Sequence, residues 1–223
     1  MSRQVIFSLT TEGPTDEKFL VNVIFRLLED LSWKCEIEFD VYPVQIIRSK
    51  GDTFIEKMME ASKQAFSISD ALCIHNDADD RSVNNVMQRK IQPFLDEIVA
   101  NNEDDLCRII VPTIPVQMIE SWMLADTQLL KSLIDASKIT DHDLGIDKSP
   151  ESYSDPKSTI SNAISIALAE KTKRRRDQVT ISDLYETLGS SISLDALRQI
   201  PSFRSFEDEV CNALKKLGLM KPN

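Results

Sequence analysis

Glu12 follows the apolar run Val5-Ile6-Phe7-Ser8-Leu9, in the stretch TEGPTDEKF (Thr11–Phe19), where a turn ordinarily takes Gly or Asn. Two more carboxylates, Asp77 and Asp79, follow a second apolar run, ALCIH, at residues 71–75. If the two runs are neighbouring parallel strands, all three acids leave the sheet at one carboxyl edge. The spacing of two then puts Asp77 and Asp79 on the same side of an extended loop. Crowded carboxylates raise one another's pKa. A hard divalent cation relieves that repulsion and keeps waters that a phosphate can displace. The expected site is one for Mg²⁺ or Mn²⁺ as cofactor, with places left for a phosphate substrate.

The elements that must position these acids can be read from periodicity. Phe19, Leu20, Val23, Ile24, Leu27 and Leu28 share one helical face behind Glu12. Pro14, Asp16 and Glu17 suit its start. Cys35, Ile37, Phe39 and Val41 alternate with acids, the signature of a strand with one wet face. Phe54, Ile55, Met58, Met59 and Ala65 give a second helix; Val83, Met87, Ile91, Phe94 and Ile98 give a third. RIIVPTIP (108–115) reads as a strand whose prolines favour an end or an edge. Alternation with connections this long implies an α/β fold with a mostly parallel sheet flanked by helices. Chemistry is then expected at the carboxyl ends of the strands. From Gln117 onward the chain reads as helices. The division expected is an α/β core over residues 1–127 and a helical C-terminal extension over 128–223, packed on the core.

Composition narrows the classes. With 223 residues, 42% hydrophobic and 28% charged, the chain suits one sizeable core, or one core with a satellite. It has no apolar stretch of bilayer-spanning length and no basic start followed by a signal segment, so a cytoplasmic protein is expected. The four cysteines form no C-x-x-C pair. Five glycines, none in a G-x-G-x-x-G or G-x-x-x-x-G-K pattern, exclude the dinucleotide-binding and P-loop readings. A net charge of −10 argues against a general nucleic-acid coat. The run EKTKRRRD still gathers Lys173, Arg174, Arg175 and Arg176, either as a solvated helix end or as a steering patch for a phosphate backbone. Arg48 and Lys50 are weaker candidates of the same kind.

TEGPTDE after the first strand and HNDADD after the later one resemble the TOPRIM domain of topoisomerases, primases and overcoming-lysogenization-defect nucleases. IPVQMIESWMLAD, SDPKSTI and PSFRSFEDEV resemble segments of a narrower group of bacterial TOPRIM-like proteins linked with phage defence. The resemblance implies a TOPRIM-like, Rossmann-like fold. It also implies Glu12 as general acid/base, Asp77 and Asp79 as metal ligands, and Lys157 of DPKS as a phosphate contact rather than a surface lysine. The activity implied is a Mg²⁺- or Mn²⁺-dependent nuclease, with DNA or RNA as partner, a companion ATPase as a further one, and a homodimer left open. Two other readings stand beside it: a non-catalytic regulatory subunit of an ATPase-containing defence complex, and a hydrolase of small phosphorylated nucleotides.

Of the remaining residues, Asp16 and Asp80 read as helix-start charges. Glu17 either lines the site or faces water. Glu120, beside Trp122 in an apolar helix, reads as an added metal or substrate contact in preference to a structural ion pair. Trp122 reads as core, and His75 as a hydrogen-bonded core histidine.

Overall fold

The computed structural model describes residues 3–172 and 179–221. Strand β1 (Arg3–Val5) and strand β2 (Phe7–Thr10) are joined through Ile6. Helix α1 (Pro14–Ser32) follows, then β3 (Phe39–Val41), β4 (Gln45–Ile46), α2 (Phe54–Phe66) and β5 (Ala71–His75). Next come α3 (Asn84–Val86), a π-helical turn (Met87–Ile91), α4 (Gln92–Ala100) and β6 (Ile110–Thr113). The helices after β6 are α5 (Glu120–Met123), α6 (Thr127–Leu133), α7 (Asp141–Leu144) and α8 (Pro156–Ala167). They continue as α9 (Ile181–Ser191), α10 (Leu194–Leu197) and α11 (Pro201–Lys216).

All strand pairings are parallel. The main sheet has the order β4-β2-β5-β6, and β1 pairs with β3 beside it. Arg3 sits opposite Phe39, but Ser8 sits opposite Gln45, so the partner strand gains one residue between the two pairings. Pro43, which has no N–H to give the ladder, lies at this slip. The longer strand expected over Cys35–Val41 is reduced to Phe39–Val41, and Ile37 is exposed. As its prolines suggest, β6 is an edge strand.

Strand β5 shows why its sequence is a continuous apolar run rather than an alternating one. Ala71 and Cys73 face a large core shared with α1 and the C-terminal helices, while Leu72 and Ile74 face a smaller core with α2 and α4. Both faces are covered, so every position is buried. By the same parity His75 lies on the α1 face. The larger core runs from Val5 to Leu219 without a break at residue 127, so the N-terminal strands and the C-terminal helices share one interior.

Helix α1 buries Phe19, Leu20, Val23, Ile24, Leu27, Leu28 and Leu31 along one stripe. It meets α9 at very close range: a Cβ on Gly189 would stand 2.5 Å from the Phe19 carbonyl oxygen, so only glycine permits this approach. Arg26 of α1 donates to the carbonyl oxygens of Gly189 (3.0 Å) and Ile192 (2.6 Å), capping the end of α9. At the far end of α1, Arg198 joins Asp30 (2.5 Å) to Glu207 (2.8 Å). No helix among the described residues is long and apolar enough to cross a membrane.

Candidate functional site

Because β2, β4, β5 and β6 run parallel, the segments leaving them emerge at one edge: Thr11–Gly13, Ile47–Ser49, Asn76–Asp80 and Ile114–Glu120. Glu12 and Asp77 therefore follow adjacent strands, with Thr10 opposite Ile74 in the register. Asp77 continues the parity of His75 towards α1 and α5. Its Oδ1 accepts from the Ile119 N–H (3.0 Å), which fixes the carboxylate against the start of α5.

His75 is sealed from solvent between two acids. Its Nε2 lies 3.2 Å from Asp77 Oδ1 and its Nδ1 lies 3.8 Å from Asp16 Oδ2. Asp77 is at hydrogen-bonding distance but not in a hydrogen-bonding direction, so neither ring nitrogen has a proper partner among the described residues. Burial alone would lower the pKa of this imidazole. The closeness and charge of Asp77, with the charges of Asp16 and Glu12, overcome burial, and the net shift is upward. His75 is thus a buried imidazole wedged between two carboxylates, and the hydrogen bond expected for it is lacking among the described residues.

Asp16 has two roles where the sequence suggested one. Its Oδ2 accepts from the Gly13 N–H (3.1 Å) at the start of α1, and the same carboxylate faces His75. Burial raises its pKa; His75 and the Gly13 N–H oppose that shift, while the charges of Asp77 and Glu120 add to it. Gly13 itself is extended (φ −150°, ψ 161°), a conformation open to any residue, so its glycine identity is not what turns the chain.

Glu120 is 4% exposed and accepts a short hydrogen bond from the Tyr185 hydroxyl of α9; Lys157 Nζ lies 3.7 Å from the same oxygen. Burial, followed by this bond and by the charges of Glu120, Asp16 and Asp77, raises the Tyr185 pKa strongly. Lys157 is placed by a capped turn, in which the Asp155 side chain accepts from the Ser158 N–H (2.8 Å) ahead of Pro156. Trp122 is fully buried, as expected. Its Nε1 donates to Ser202 Oγ (2.8 Å), and its ring meets Phe203 edge-on at 5.0 Å. The ESWM, DPKS and PSFRSF segments therefore meet in space.

The other predicted residues fall as follows. Glu12 is partly exposed, with Lys90 Nζ 3.7 Å away, and Lys90 also donates to Asn76 Oδ1 (2.9 Å). Glu17 is buried and holds Arg48 through two hydrogen bonds (3.1 and 2.6 Å), joining α1 to the segment after β4. Asp80 accepts from the Arg81 N–H and Asn85 in the loop three residues ahead of Val83, the N-cap of α3, and is not the helix-start charge expected. Asp79 is exposed, and its backbone turns left-handed (φ 50°), which ends the alternation that would have aligned it with Asp77. Lys173, Arg174, Arg175 and Arg176 lie outside the described residues.

Oxygen donors from Glu12, Asp16, Asp77 and Glu120 match a hard divalent cation in type. Burial first, and then the charges of Asp77 and Glu120, raise the Asp16 pKa, and a cation beside it would offset these effects. As the side chains stand, no three His, Cys, Asp or Glu groups among the described residues are arranged to hold a metal ion. Each acid is instead engaged locally: Asp77 by Ile119, Asp16 by Gly13, Glu120 by Tyr185 and Glu12 by Lys90. Tyr185, Lys90 and Asp16 are the site residues that sequence reasoning missed. For Asp16 a signal existed, since it lies four residues after Glu12. For Tyr185 there was none.

The chain belongs to the family described as Domain of unknown function (DUF4276), which matches residues 11–210. No curated protein and no solved structure matches the chain.

Proposed function

We propose that this chain is a TOPRIM-like phosphoryl-transfer enzyme that cleaves phosphodiesters with Mg²⁺ or Mn²⁺. The observation that carries the reading is the gathering of Asp16, Asp77 and Glu120 around the edge where Glu12 stands, on a rigid parallel sheet. Asp77 and Asp16 would hold the cation, with Glu120 beside them and Asp79 outside the group. When bound, the cation supplies charge neutralisation at the attacked phosphate and a more acidic water.

The chain's own residues supply the rest. Glu12 is the partly exposed acid at the strand tip and takes the proton of the attacking water. Lys90, held by Asn76, places a cation next to that carboxylate and next to the charge that develops on the phosphate. Tyr185 fixes Glu120 by a hydrogen bond from α9 to the start of α5, and Lys157 stands ready for a phosphate oxygen. DNA or RNA is the proposed substrate, with Lys173 to Arg176 as the contact to its backbone. A companion ATPase and a role in phage defence belong to the same proposal.

A second reading, a non-catalytic subunit beside an ATPase, draws on the pairing of Glu12 with Lys90 and of Glu120 with Lys157, which leaves less uncompensated acid than a loaded metal site needs. One experiment separates the two. A panel of DNA, RNA and nucleotides is incubated with Mg²⁺, Mn²⁺ or chelator, using wild type and Glu12→Gln. Metal-dependent cleavage that falls ~10²- to 10⁴-fold in Glu12→Gln supports the enzyme. No cleavage, with or without the ATPase, supports the subunit.

A further inference from the structure

A recess of about 300 Å³ opens beside Glu12, between the segments that leave β2 and β4. We propose that it is a phosphate-binding subsite, with Arg48, Ser49 and Lys57 as its donors; the assignment rests on the phosphoryl-transfer reading of Glu12 and names the part of the substrate held there.

The recess is built by the backbone. Ser8 and Leu9 of β2 sit opposite Gln45 and Ile46 of β4, and the Ile47 N–H donates to the Leu9 carbonyl (2.9 Å), carrying the pairing past the end of β4. Thr11 and Glu12 then form one wall, and Arg48 and Ser49 the other. Lys57 closes the recess from the first turns of α2. The loop is pressed against that helix: a Cβ on Gly51 would lie 2.4 Å from the Lys57 backbone nitrogen, so a larger residue would push the loop away and widen the recess. The volume lies at the lower end of the range for small-ligand sites.

Three features of the lining select an anion. The Ser49 hydroxyl is buried, lines the recess and has no hydrogen-bond partner among the described residues. A polar group left in that state is disfavoured until something fills the recess and bonds to it. Arg48 is held by Glu17 through Nε and Nη2, which orients the guanidinium and leaves Nη1, unbonded among the described residues, for a second acceptor. Lys57 has no carboxylate partner among the described residues, whereas the two acids lining the recess are already paired, Glu12 with Lys90 and Glu17 with Arg48. The local balance is therefore one unpaired cation, one oriented guanidinium and one waiting hydroxyl. A phosphate group supplies the acceptor oxygens for all three, and here it sits beside the carboxylate proposed to accept the proton.

The test is equilibrium binding of inorganic phosphate to the full chain in the presence of a chelator. It compares wild type with Lys57→Gln, Lys57→Glu, Ser49→Ala, and Lys63→Gln as a control on the same helix, where Lys63 pairs with Glu103 at 2.7 Å. The expected result is saturable binding that Lys57→Gln weakens roughly tenfold or more, as for loss of a charge-assisted hydrogen bond. Lys57→Glu abolishes it, Ser49→Ala weakens it, and Lys63→Gln leaves it unchanged. Competition by a short oligonucleotide with and without a 5′-phosphate identifies the source: preference for the phosphorylated form assigns a chain end, and equal competition assigns an internal diester. Thermal melts verify that each variant folds. Absence of phosphate binding in wild type, or binding equal in wild type and both Lys57 variants, overturns the subsite. Metal-dependent cleavage without Lys57-dependent phosphate binding removes the subsite and leaves the enzyme. Lys57-dependent binding without cleavage of any substrate does the reverse.

Discussion

The Tyr185 hydroxyl donates to the Glu120 carboxylate, joining residues 65 positions apart and fastening α9 to the edge of the sheet where the acids gather. Glu120 is almost fully enclosed, so this donor and Lys157 stand in for the water it lost on folding.

Tyr185→Phe should therefore destabilise the protein by roughly 1–3 kcal/mol, the penalty for leaving a buried acceptor unsatisfied. Glu120→Gln combined with Tyr185→Phe should be less destabilising than the sum of the two single changes, because the variants share one contact. Urea unfolding of the four proteins measures the coupling. Additive losses would show that the two side chains do not depend on each other.

Gly189→Ala sets two effects against each other. Alanine in a helix interior is favoured over glycine by about 1 kcal/mol. The added methyl would meet the Phe19 backbone at 2.5 Å, and backbone cannot move aside as a flexible side chain can. Overpacking should win by roughly 1–3 kcal/mol, with a melting temperature lower by about 2–4 °C for each kcal/mol. A melting temperature at or above wild type would mean that α1 and α9 separate freely.

The Asp16 carboxyl has a pKa raised by burial, then by Asp77 and Glu120, so the folded state binds this proton more tightly than the unfolded chain does. Its contribution to stability is fully present below the ordinary aspartate value of about 4 and is lost as pH rises through the raised value. In chelator, the stability of wild type relative to Asp16→Asn should accordingly fall as the pH is raised from below that ordinary value. Denaturant unfolding across a pH series reads the slope. A difference independent of pH, or one that grows as pH rises, contradicts the placement of Asp16 among the acids.

Replacement of Lys173, Arg174, Arg175 and Arg176 together by Gln should weaken oligonucleotide binding and flatten its dependence on salt, since each phosphate contact contributes a slope of about 0.7 to 0.9 in log K against log salt. Fluorescence anisotropy at several salt concentrations measures both. An unchanged slope makes the run a solvated helix end.

Much of this geometry was legible in the sequence, for local reasons. Ala71 to His75 could be read as a strand buried on both faces because parallel strands need no polar face. Glu12 and Asp77 could be placed at one edge because strand-helix alternation forces parallel pairing. The failures share a cause. Asp79 was placed by simple alternation, and a single left-handed residue cancels it. Tyr185 carries no motif, since its role depends on how α9 lies against α1, which is set by Gly189 and Arg26 and not by residues near Tyr185 in the chain. The apolar spacing of Val83, Met87, Ile91, Phe94 and Ile98 predicts a helix but carries no sign of the π turn at residues 87–91.

That π turn makes the site sensitive to length as well as to composition. A π turn holds one residue more than the regular winding around it, and here the surplus lies just where Lys90 reaches Asn76 and Glu12. Deleting one of residues 87–91 would let the winding become regular with little change in the phase of the segments on either side, because the wide turn carries its surplus residue without added rotation. Phe94 and Ile98 would stay in the interior, and the change would fall on the turn itself, which sets where Lys90 meets Glu12. A one-residue gap here would therefore move the Lys90 ammonium while sparing the packing of α4, which separates the effect of its position from that of its charge.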